Sequence, residues 1–136
     1  MPVLETDFLK ALIDPQDRLH NKAVKALKKM EEGQWYVASS AFLELDLLLK
    51  KGGVSLEDRI DVFESLRPHI PLNIVCTLSH QTLVNAACLQ KAYGFSNFYF
   101  DSLHLGTAME HDHQIMSSDK SFENIKEVKR IPLEKL

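Results

Sequence analysis

The chain has 136 residues, 45% of them apolar and 26% charged, and a net charge of −3. A single soluble domain over 1–136 is expected, large enough to bury roughly two thirds of its unfolded surface, and the balance of charge excludes the global basic field that drives sequence-independent nucleic-acid binding. The apolar runs fall short of the ~20 residues that span a bilayer, the N-terminus lacks a charged leader, and Cys76 and Cys88 make no CxxC motif, so a cytoplasmic protein with reduced thiols is expected.

Residues 2–6 read as a short strand, followed by a helical turn at FLKALID. Asp14-Pro15 stops that turn, because a residue before proline disfavours the helical region. Residues 17–32 predict an amphipathic helix. Leu19, Ala23, Ala26, Leu27 and Met30 recur at helical spacing, Lys22, Lys25, Lys28 and Lys29 lie off that face, and Gly33 ends the run. The β-formers Trp35-Tyr36-Val37-Ala38 predict a second strand. Ser39 or Ser40 can cap the next helix, which carries Glu44 near its start, a buried stripe of Leu43, Leu47 and Leu48, and a Gly52-Gly53 stop. Ser55, three residues before Asp58, resembles a capping box for a helix over 56–66. Pro68 and Pro71 lead to a third strand over 72–76, and a helix over about 80–93 ends at Gly94. Asp101 opens another helix through about His111, Gln114–Ser117 reads as strand four, and 128–131 is a weak strand five. Strands alternating with helices call for a parallel sheet covered on both faces.

Four acidic residues stand out against this background. Asp7 in VLETDFLKAL, Glu44 in ASSAFLELDLLL, Asp101 in FYFDSLHLGTAM and Asp119 in QIMSSDKSF each sit in a segment that otherwise reads as core. Burying an unpaired carboxylate costs several kcal/mol or forces it to take up a proton. Four together repel unless a cation neutralises them, which points to a hard metal with oxygen ligands. The topology agrees. Each of the four follows a strand or begins a helix at the C-terminal edge of the sheet, and if strand four neighbours strand one they meet at the switch point where open α/β sheets bind ligands. Taken singly, Asp7 and Asp101 also fit helix N-caps, Glu44 a solvated helix position and Asp119 an Asx turn. The hydroxyls of Thr6 and Ser117 flank the cluster and can orient carboxylates. His104, three residues after Asp101, reads as a buried, hydrogen-bonded histidine, and His111-Asp112-His113 as a solvated turn after a helix end, with no partner motif for zinc.

At these residues the chain resembles the PIN domain, the small nuclease fold that includes VapC-type toxins. The segment FDSLHLGTA from Phe100 to Ala108 is similar to the family's third acidic element, and SSDKSF from Ser117 to Phe122 to its fourth. The Glu44 segment is a looser match to the second. The first departs from the pattern. Where the family shows Asp-Thr and a small polar residue, this chain has Glu5-Thr6-Asp7. Residues 5 and 7 share a face of an extended strand. Asp7, with the shorter arm and the position nearer the strand end, is the preferred ligand, with Glu5 the alternative. The resemblance implies an α/β/α sandwich whose central, mostly parallel sheet of four to five strands runs in the order 3-2-1-4-5. It implies a ribonuclease using Mg²⁺ or Mn²⁺ held by Asp7, Glu44, Asp101 and Asp119, which would also be the catalytic residues. It further implies RNA as substrate, an antitoxin as partner, and a homodimer for which leucines on the 40–50 and 56–66 helices can supply an interface. The competing expectation is a catalytically silent PIN fold that binds RNA or serves assembly, which the irregular Glu5-Thr6-Asp7 element keeps open.

Overall fold

The computed structural model describes residues 1–95 and 98–136. Among them five strands, β1 (Val3–Leu4), β2 (Tyr36–Ala38), β3 (Val75–Cys76), β4 (Gln114–Ser117) and β5 (Lys129–Pro132), form one sheet in the order β3-β2-β1-β4-β5. Every pairing is parallel, with Leu4 opposite Val37 on one side and Met116 on the other. The α-helices are α1 (Thr6–Ile13), α2 (His20–Glu31), α3 (Ser39–Lys51), α4 (Leu56–Leu66), α5 (His80–Tyr93) and α6 (Tyr99–Met109). Val3 and Leu4 are both fully buried. Adjacent strand residues point to opposite faces, so β1 is covered on both sides, as an α/β/α sandwich requires.

The chain first winds outward from β1 to β2 to β3, and then returns through α5 and α6 to place β4 on the free side of β1. The switch point therefore lies between β1 and β4. No helix among the described residues is long and apolar enough to cross a membrane.

Several sequence-based expectations shift by a residue or two, and the shifts have causes. Glu5 takes extended backbone (φ −123°, ψ −166°) and its carboxylate accepts the Asp7 N–H, so α1 begins at Thr6. Residues 5 and 7 consequently do not share a strand face: Glu5 is the N-cap and Asp7 lies in the first helical turn, where a negative charge suits the dipole. The cap expected from Ser39 or Ser40 is absent. Ala38 occupies that position with no side-chain cap, and Ser40 is buried inside the first turn of α3. The stripe of Leu43, Leu47 and Leu48 is exposed rather than buried, because α3 turns Ser40, Ala41 and Leu45 to the core instead. Asp101 does not open its helix either, because α6 starts two residues earlier at Tyr99. The third strand is shorter than expected, since Leu72–Ile74 form a 3-10 turn ahead of Val75–Cys76.

Helix α6 is the central helix of the fold, with Ser102 through Ala108 all buried. It can lie that deep because its polar side chains find partners: Ser102 Oγ donates to Tyr99 O at 2.6 Å and Thr107 Oγ1 to Leu103 O at 2.8 Å within the helix, and His104 bonds to residues of other elements. Gly106 gives it close access to α5. A Cβ at that position would stand 2.8 Å from Thr82 O and 3.2 Å from Ala86 N, both of them backbone atoms.

Candidate metal centre

Glu5 and Asp7 leave the end of β1, Glu44 sits one turn into α3, Asp101 in the first turn of α6, and Asp119 just beyond β4. One oxygen each of Glu5 and Glu44 and a ring nitrogen of His104 lie within 4.8 Å of one another. The carboxyl of Asp101 is pushed up to about 6, first by burial; His104 opposes the shift, and the charges of Glu44 and Asp119 reinforce it. Glu5 and Glu44 thus meet at the β1–β4 switch point, and Asp101 is near enough to Glu44 and Asp119 to feel their charge.

His104 organises the inner wall. It is fully buried. Its Nε2 lies 3.1 Å from Glu44 Oε1 and 3.1 Å from Thr6 Oγ1, and its Nδ1 lies 2.7 Å from Ser40 Oγ. A carboxylate only accepts, so Nε2 carries the proton it donates to Glu44. Burial pushes the Glu44 carboxyl upward, but hydrogen bonds from His104 and Thr6 outweigh it, and the net effect is downward. Both ring nitrogens are thus spent on protein partners, which makes His104 the support of a carboxylate rather than a metal ligand.

Glu5 and Asp7 differ sharply. Glu5 is 5% exposed, with Oε1 accepting from Ser117 Oγ at 2.6 Å and Oε2 from Asp7 N at 3.1 Å. Burial and the neighbouring Asp7 charge hold its carboxyl well above the usual range. Asp7 turns the other way. Its Oδ2 accepts from Ser118 N at 2.5 Å and from Ser118 Oγ at 2.7 Å, while its buried Oδ1 has no partner among the described residues. Asp119 is exposed and caps the 3-10 turn Lys120–Asn124, with Oδ1 accepting from Ser121 N at 2.9 Å. Its own N–H donates to Ser117 Oγ at 2.9 Å. Thr6 and Ser117 therefore support carboxylates. The structure adds Ser118 and Ser40 to that support. The only trace of Ser118 in the sequence is the small polar run between strand four and Asp119.

The donor set fits a hard divalent cation. It is all oxygen, the buried Asp7 Oδ1 beside it has no partner among the described residues, and the Glu5 and Asp101 carboxyls are raised, first by burial and then by neighbouring carboxylates whose charge a cation would offset. The His111-Asp112-His113 segment offers no second centre. His111 packs on Tyr36 with ring centroids 5.3 Å apart, Asp112 pairs with the N-terminal amine, and His113 takes φ +53° with Nδ1 at 3.0 Å from Glu127 O.

A family model described as the PIN domain matches residues 3–128. Among solved structures, FitAcB from Neisseria gonorrhoeae superposes with a TM-score of 0.74 at 17% identity, covering 100% of both chains. VapBC2 from Rickettsia felis, bound to a DNA fragment from its promoter, gives 0.70 at 13% identity, covering 96% of each chain. A toxin–antitoxin complex from Klebsiella pneumoniae gives 0.60 at 19% identity, covering 95% of this chain and 96% of that one. No curated protein matches the chain.

Proposed function

The chain belongs to the PIN domain family, and from that premise we propose that it is a metal-dependent endoribonuclease acting at the β1–β4 switch point. The observation that carries this reading is the shared acidic region itself: Glu44 lies beside Glu5, and Asp101, raised first by burial, also feels the charges of Glu44 and Asp119. In this reading Glu5, Glu44, Asp101 and Asp119 hold Mg²⁺ or Mn²⁺. Glu5 replaces Asp7 as the preferred first ligand because it, and not Asp7, groups with Glu44. A bound cation supplies water activation and charge neutralisation at the phosphodiester. The protein's own part is to place the carboxylates. His104 and Thr6 fix Glu44, Ser117 fixes Glu5, and the 3-10 turn presents Asp119 to the open side, where substrate enters. Asp7 is held by Ser118 beside Glu5.

The similarity in fold to FitAcB and VapBC2 supports a further reading, that the chain is the toxin of a toxin–antitoxin pair. The exposed Leu43, Leu47, Leu48, Leu56 and Ile60 of α3 and α4 suit a partner or a second copy. Incubating the purified chain with single-stranded RNA and Mn²⁺, Mg²⁺ or EDTA tests the nuclease. Cleavage in the presence of metal, and its loss in Asp101→Asn with the fold retained, is the expected result. RNA left intact under every condition would favour a silent RNA-binding module.

A further inference from the structure

A nuclease of this kind has an electrostatic difficulty, because an acidic cluster repels the polyanion it must cut and the whole chain carries −3. Compensating charge lies on the other side of Ser118. A cavity of about 400 Å³ there has no apolar side chain in its lining. Four of its side chains are cationic, namely Arg18, Lys120, Arg130 and Lys135; Glu123 and Glu134 are carboxylates, and the remaining one is Ser118. Arg130 engages both carboxylates, with Nη1 donating to Glu123 at 2.8 Å and Nη2 to Glu134 at 2.6 Å. Its side chain is 4% exposed, and its Nε has no hydrogen-bond partner among the described residues. With the carboxylates so committed, the exposed Arg18, Lys120 and Lys135 form no ion pair among the described residues.

The cavity and the acidic region share a wall. Ser118 donates its N–H and Oγ to Asp7, and its carbonyl accepts from Arg130 Nη2 at 3.2 Å. Lys120 follows Asp119 directly in the chain. We propose that this cavity binds a backbone phosphate of the RNA strand adjacent to the phosphate that is cleaved, an assignment that rests on the nuclease reading. A lining of polar and charged side chains, cationic on balance, suits a phosphate. It also places attraction beside the repulsive cluster, where a local field steers a polyanion that the net charge would reject. Ser118 and Arg130 act as positioning residues that hold the two sites in one register.

The experiment measures fluorescence anisotropy of a labelled single-stranded RNA oligonucleotide in Ca²⁺ across a salt series, with Mg²⁺-dependent cleavage assayed in parallel. Lys120→Ala/Lys135→Ala removes two exposed side chains, and a matched thermal midpoint confirms folding. The expected result is weaker binding at low salt and a slope of log affinity against log salt reduced by about 0.7 for each phosphate no longer neutralised. Lys28→Ala, which removes a lysine of α2 outside the cavity, should leave the slope unchanged. A wild-type slope in the double variant overturns the cavity assignment, and continued cleavage by the wild type then shows that the nuclease reading stands without it. A wild type that neither binds nor cleaves RNA overturns both. If the double variant instead loses binding to polyglutamate while RNA binding is untouched, the cavity serves an acidic peptide and the phosphate assignment is wrong.

Discussion

Glu44 and Asp119 present carboxylates to the same edge of the sheet, yet they are held in opposite ways. Glu44 is fixed by residues distant in sequence: His104 from α6 and Thr6 from α1, with Ser40 behind His104. Asp119 is fixed by its own turn, through Ser121 and Ser117. The first arrangement exists only when three helices have docked, and its carboxylate inherits their rigidity. The second forms locally and stays in solvent. An inner wall set by tertiary packing facing an outer rim set by a turn is a division suited to a site that must hold an ion firmly and admit a strand from one side.

The largest effect should come from separating the two acidic residues after β1. Glu5→Gln is expected to lower metal-dependent RNA cleavage by about 100-fold or more, as loss of a preorganised electrostatic group does, and to weaken Mn²⁺ binding measured by electron paramagnetic resonance. Asp7→Asn should retain most of both. The reverse order in the Mn²⁺ titration would make Asp7 the ligand and remove Glu5 from the inner wall.

Next in size is the contrast in stability. His104→Leu strands Glu44, Thr6 and Ser40 without their common partner, and should cost about 2–4 kcal/mol in urea unfolding. Asp119→Ala removes only a turn cap and should cost about 1 kcal/mol. Equal losses would show that the inner wall is no more dependent on tertiary contacts than the rim.

A smaller effect is the response to pH. The Asp101 carboxyl titrates near 3.8 when unfolded and at about 6 when folded. The folded chain therefore binds the extra proton between those values, and the stability this contributes is present below 3.8 and lost as pH rises through about 6. Glu5, also raised, acts in the same direction. The thermal midpoint of the metal-free chain should fall across that window, and Asp101→Asn should flatten the fall. Mn²⁺ should restore stability at the upper end, and a midpoint that rises with pH in EDTA would contradict the crowding of these carboxyls.

The sequence makes the helices legible wherever local chemistry decides them. Helices over 56–66 and 80–93 and the strand Gln114–Ser117 lie where periodicity and punctuation put them, and Ser55 does accept from Asp58 N. Strands β1 and β3, with two residues each, are shorter than their apolar runs suggest, because a pair of β-formers cannot show where such a run turns into a helix. The family and the strand order are legible from four spaced acidic elements. The internal wiring is not. His104 reaches partners 98, 64 and 60 residues away, and no local pattern encodes such contacts. The buried Arg130 likewise gives no sign of its position within a weak fifth strand, because its burial follows from Glu123 and Glu134 closing over it.

The near contact at Gly106 has a consequence for Asp101. The two residues are five positions apart on one helix, a rise of about 7.5 Å, and α6 is stiff between them. With hydrogen as the only substituent at position 106, α6 rests directly on the backbone of α5 at Thr82 and Ala86, and that seat fixes how far α6 stands from its neighbour. Any methyl group added there would act as a shim, tilting the helix and carrying Asp101 away from Glu44 and Asp119 without altering a single charged residue. The alignment of an ionic centre is thereby delegated to a bare patch of main chain more than a helical turn away.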